Sequence, residues 1–265
     1  MNRFLTAVLL ALCALVGLLS LLFPFLTPVI NDTFSLENGA ALQPGSFSYG
    51  LLTAILVGIS LLALLLEIQG QTANAKITAA LGVLVAITSV LRLIETAIPG
   101  IGGFSPVFVP IILAGYVFGI RFGFLMGTLS VLTSAIITAG VGPWLPYQMF
   151  VAGWVGITAG MLPHPESTRT KLLMLVLFAF VWGLLYGGIL NLYFWPYVAG
   201  ESLSAAGSPD SVGEIAANYG AFYLATSFIW DIFRALGNVV LILIIGIPAV
   251  KALSRFRDRF QFAVQ

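Results

Sequence analysis

AALGVLVAITSVLRLIETAIPG, residues 79–100, is the stretch on which the reading of the fold turns. From Ala79 to Leu91 it carries no charge; Arg92 and Glu95 then stand three residues apart, and Pro99-Gly100 ends the run. Extended back to residue 75 it covers 75–98, and about 20 apolar residues suffice to cross the hydrocarbon of a bilayer. The stretch is therefore predicted to span a membrane, with two charges near one end.

Working outward, runs of the same kind occupy 4–25, 49–66, 107–120, 122–139, 146–162, 172–195 and 221–250, giving eight expected spans. The chain of 265 residues is 60% hydrophobic and 8% charged, with a mean hydropathy of +1.07. A soluble domain carries roughly a quarter charged residues. A net charge of +1 gives no reason to expect nucleic acid as a partner. Cys13 is the only cysteine and His164 the only histidine. That excludes an internal disulfide and a multi-thiolate or His-cluster metal site. The run 4–25 closes on Phe23-Pro24-Phe25 without a small-x-small cleavage pattern, so it reads as a retained span rather than a signal peptide.

Charge orients the spans. From a cytoplasmic N-terminus, the inner segments hold Arg3, Lys76, Arg121, Arg169, Lys171, Lys251, Arg255, Arg257 and Arg259. The outer loops 26–48, 99–105, 140–145 and 196–220 hold no Lys or Arg. This is the positive-inside pattern, with both termini in the cytoplasm. The span 107–120 has 14 residues, about 21 Å of helix. The preceding Pro99-Gly100-Ile101-Gly102-Gly103-Phe104-Ser105-Pro106 is then expected to dip below the outer surface. Irregular backbone at that depth persists where it is buried in protein or lines a cavity, and such breaks point to transport sites. A half-buried turn without a ligand is the alternative.

Arg92, Glu95, Asp231 and Arg234 lie within spans. Each costs about 3 kcal/mol at depth unless paired or hydrated. Arg92 and Glu95 are spaced i, i+3, as are Asp231 and Arg234, which suggests two pairs. Counted from Ala221, Asp231 is expected about 15 Å deep and Arg234 about 20 Å. They either line a pocket open to the outside or lock two helices together. Asn191 and Asn238 stand at compatible depths. Gln148, beside Trp144 and Tyr147, belongs either to a ligand site or to an interfacial aromatic belt. There is no G-x-x-x-x-G-K-[ST], no H-E-x-x-H and no G-x-S-x-G, so neither an ATP-binding P-loop nor these catalytic centres are present. No catalytic residue, metal or cofactor is expected. Gly82 and Ala86 form a small-x-x-x-small pair, which lets helices approach closely in lipid.

Residues 79–100, 112–162 and 229–246 together resemble the substrate-binding S components of energy-coupling-factor (ECF) vitamin transporters, most closely the cobalamin-type branch. The most specific run is Gly142-Pro143-Trp144-Leu145-Pro146-Tyr147-Gln148-Met149. The resemblance implies an all-α integral membrane protein of the bacterial cytoplasmic (inner) membrane. A six-helix core with a basic cytoplasmic tail, 71–265, would follow a two-helix N-terminal extension, 1–70. It implies capture of a vitamin, cobalamin or a related corrinoid first, for an ATP-driven importer. The partners would be a transmembrane coupling subunit and two cytoplasmic ATPases. Riboflavin, thiamin or a precursor are the alternative substrates; a stand-alone facilitator is the alternative mechanism, and a membrane enzyme is the weaker reading. Arg92, Glu95, Phe104, Trp144, Tyr147, Gln148, Asn191, Asp231 and Arg234 would line or support the pocket, with loop 99–106 as its gate. Gly82 and Ala86 match the small residues through which the family contacts its coupling subunit. One position departs: the family often has His three residues after the Asp of its last helix, where this chain has Arg234.

Overall fold

The computed structural model describes residues 75–97, 103–142, 144–205 and 212–261, with Val8, 11–12, 15–19 and 21–22 near the N-terminus. The expected span 49–66, and with it the two-helix extension and the total of eight, lies outside the described residues. Among the described residues every regular element is helical. The helices are α1 (Ala75–Ala97), α2 (Phe108–Phe118), α3 (Ile120–Ile137), α4 (Leu145–Gly160), α5 (Thr168–Ala205), α6 (Val212–Thr226), α7 (Phe228–Leu241) and α8 (Ile247–Gln261). A π-helical segment, Ile242–Gly246, joins the last two. Among the described residues, four stretches are long and apolar enough to cross a membrane: Lys76–Glu95, Ile120–Ile137, Thr168–Trp195 and Phe228–Arg259.

Each of the last six expected spans carries a helix, with one correction. Residues 221–250 are not one uninterrupted rod. The chain breaks at Ser227, between α6 and α7, so the membrane-crossing stretch starts at Phe228 and Asp231 falls in its first turn. Asp231 is therefore about 5 Å, not 15 Å, from the start of its helix. The reason is local: Thr226 and Ser227 can hydrogen-bond their own backbone, and the Thr226 hydroxyl donates to Phe222 O (2.8 Å). Further on, Pro248 has no N–H for the carbonyl four residues back, and the wider π turn immediately before it accommodates the loss.

The chain forms two compact units, residues 1–71 with 188–227, and 72–187 with 228–265. In the first, Tyr219 donates its hydroxyl to Gly188 O and its ring meets Trp195 edge-on at 5.8 Å. These contacts hold α6 against the second half of α5.

The second unit is built on α2, α3 and α4, packed through small residues. A Cβ at Gly156 on α4 would lie 1.9 Å from Gly123 O on α3, and one at Gly127 would lie 2.1 Å from Ala152 O. In lipid, where burial gives helices little reason to associate, such close backbone approach and the dispersion it allows hold them together. Gly119, at φ +91°, makes the sharp break between α2 and α3. The free carbonyls at the end of α2 find partners. His164 Nε2 donates to Tyr116 O (2.9 Å), and its ring stacks on Tyr116 at 4.3 Å. Arg257 on α8 donates to Val117 O (2.9 Å). His164, the single histidine of the sequence, is thus a cap on α2. Lys76, Arg121 and the basic face of α8 gather at this end of the unit, called the basic end below.

Candidate polar binding site at the opposite end

At the end of the unit away from those cations, α1, the loop before α2, α4, α5 and α7 bring a set of polar and aromatic side chains together. Asp231 is 1% exposed and is bound by Arg234, one turn on along α7. The Arg234 guanidinium also reaches Gly183 O on α5 (3.4 Å). It lies 5.9 Å from the Phe108 ring centroid and 5.5 Å from that of Tyr186. The two rings themselves meet edge-on at 4.5 Å. A planar guanidinium between aromatic faces keeps its charge with less water than a lysine would need.

The second expected pair is arranged differently. Arg92 donates to Gln148 Oε1 on α4 (3.3 Å), and Glu95 accepts from the Ser105 hydroxyl (2.9 Å). They turn to partners on other elements rather than closing on one another, although Arg92 and Arg234 both lie within electrostatic reach of Glu95. The spacing i, i+3 placed them on one face; tertiary partners decided the bonding. Tyr186 feels Arg92, Arg234 and Glu95 together, so the four charges share one neighbourhood.

Glycines permit this approach. The Asp231 carboxylate sits against Gly187 on α5, where a Cβ would lie 2.1 Å from either of its oxygens. A Cβ at Gly237 would lie 2.3 Å from Phe104 Cδ2, so the Phe104 ring packs on the backbone of α7. Gly103, at φ +83°, brings the same loop against Trp230 O, which a Cβ would approach to 2.1 Å. The loop before α2 thus reaches in as far as the third turn of α7, in keeping with the dip expected from the shortness of α2.

The described contacts therefore gather Arg92, Glu95, Phe104, Gln148, Asp231 and Arg234. Trp144 is exposed at the N-cap of α4 and packs on Gly142, and Tyr147 is buried in the core. Asn191 belongs to the other compact unit. Asn238 is fully buried and donates to Ala179 O (3.3 Å). Sequence reasoning missed Ser105, Phe108 and Tyr186. Ser105 adjoins the Phe104 already marked in the irregular loop; the two aromatics sit in apolar helices that give no such signal. Among the described residues no three His, Cys, Asp or Glu side chains come together. The site offers cationic donors, carboxylate acceptors and aromatic walls, a combination suited to binding a molecule with several polar groups.

No curated protein and no solved structure matches the chain. The sequence model of the family described as ECF transporter, substrate-specific component, matches residues 76–246. That segment holds most of the compact unit 72–187 with 228–265, including all four intramembrane charges. The chain belongs to the family of substrate-specific components of ECF transporters.

Proposed function

We propose that this chain captures a vitamin or vitamin-like nutrient from outside the cell, a corrinoid such as cobalamin first, in the bacterial cytoplasmic membrane. The observation that carries the reading is the gathering of Arg92, Glu95, Gln148, Asp231 and Arg234 beside the Phe104 loop, at the end opposite the basic residues. We take the basic end to face the cytoplasm, the side to which the positive-inside pattern of the sequence assigns both termini. The polar site then opens outward. The loop 99–106 is its gate, Phe104 reaches past the charged pair to Gly237 as part of the lining, and the ligand engages the polar groups after the loop moves.

Family membership makes the chain the binding part of a transporter that works with a coupling module and ATPases. We place the docking of the coupling subunit on Gly82 and Ala86. Both are exposed on α1, and a Cβ at Gly82 would meet no atom within 4 Å. A flat, small-residue face in lipid invites a second helix.

A panel of vitamins tested by thermal unfolding of the purified protein checks the capture reading. One of them is expected to raise the unfolding temperature in a concentration-dependent way. No shift with any vitamin would count against it.

A further inference from the structure

At the basic end, α1 and α8 enclose a groove of about 550 Å³. Ala79, Ala80 and Val83 form one wall; Ala252, Leu253 and Phe256 form the other. Three alanines keep it open, and its walls offer almost nothing to hydrogen-bond. Lys76 stands at its rim on α1. On α8, Lys251, Arg255 and Arg259 are exposed and spaced by four, so they form one stripe beside the wall residues Ala252 and Phe256. In the other direction the α1 wall runs on into the exposed apolar residues Val83, Ile87, Val90 and Ile94. The groove is thus an apolar channel that continues along the lipid-facing side of α1 and has cations at only one end.

The geometry points to an anionic phospholipid as its occupant, with acyl chain in the groove and phosphate among Lys76, Lys251, Arg255 and Arg259. A soluble anion would make no use of the apolar floor, and a neutral lipid none of the cations. A peptide would find no hydrogen-bonding group in the walls to fix its register. Basic pockets between membrane helices hold acidic headgroups by this combination of chain burial and charge. The site lies beside the Gly82 and Ala86 face without including it and does not depend on the identity of the transported nutrient.

The test uses the full chain in phosphatidylcholine nanodiscs, titrated with phosphatidylglycerol and read by native mass spectrometry. Phosphatidylglycerol is expected to be retained in preference to phosphatidylcholine. Lys251→Gln and Arg255→Gln should each weaken retention about fivefold. Ala79→Phe combined with Ala252→Phe fills the groove from two exposed positions and should abolish retention of both lipids. Equal retention of the two lipids would overturn the proposal, as would charge variants that bind like the parent. If the filled variant kept phosphatidylglycerol but, in a parallel copurification, lost the coupling subunit, the lipid proposal would be overturned and the groove would belong to the protein partner. Should the filled variant fail to fold, the two charge variants decide the question alone.

Discussion

The carboxylate of Asp231 on α7 lies directly against Gly187 on α5, in the space a β-carbon would occupy. A methyl group there would push aside the carboxylate, the movable partner, and weaken its bond to Arg234. Gly187→Ala is expected to destabilise the protein by about 1–3 kcal/mol through overpacking and a disturbed ion pair. Denaturant unfolding in micelles would show it. An unchanged midpoint would mean that Asp231 has another place to go.

Arg234 makes three kinds of contact, with Asp231, with Gly183 O and with the rings of Phe108 and Tyr186. Arg234→Lys keeps the charge and loses the stacking and the fork, a loss of about 1–2 kcal/mol. Arg234→Met leaves Asp231 buried without its cation and should cost about 3–5 kcal/mol. Unfolding midpoints should therefore fall in the order parent, Arg234→Lys, Arg234→Met. Equal values for the two variants would show that the aromatic contacts contribute little.

Two glycines should respond in opposite ways. Gly156 faces the Gly123 backbone with no room for a side chain, while Gly82 faces open space. Gly156→Leu should prevent close packing of α3 on α4, with little or no monodisperse protein in size-exclusion chromatography. Gly82→Leu should fold and retain ligand, yet lose copurification of the coupling subunit. Loss of ligand affinity in Gly82→Leu would put that face in the binding pocket.

Phe104 covers α7 at Gly237. Phe104→Ala should leave the fold intact and speed release of the captured nutrient about tenfold, because differences among related complexes fall mostly in dissociation rate. A slower association with unchanged release would assign Phe104 to recognition rather than closure.

Much of this was legible in the chain itself. Long apolar runs announce helices because lipid leaves few alternatives; each run from residue 75 onward carries one, and four lie in stretches long and apolar enough to cross a membrane. The i, i+3 spacing of Asp231 and Arg234 foretold a real pair, since both ends of that contact lie on one helix. Arg92 and Glu95 had the same spacing, but their bonds go to Gln148 and Ser105, partners supplied by other elements. The break at Ser227 was hidden because no Gly or Pro marks it, and apolar residues continue across it. Tyr186 and Phe108 were invisible as site residues because an aromatic in an apolar helix looks the same facing lipid or facing a guanidinium.

The central claim is that the polar cluster around Asp231 holds a captured nutrient. Mass spectrometry of small molecules released from the purified protein, repeated for Asp231→Ala, tests it most directly. The account predicts a vitamin or corrinoid retained by the parent and lost or strongly reduced in a folded Asp231→Ala variant. A parent that retains no such molecule, or a variant that retains it undiminished, would contradict it.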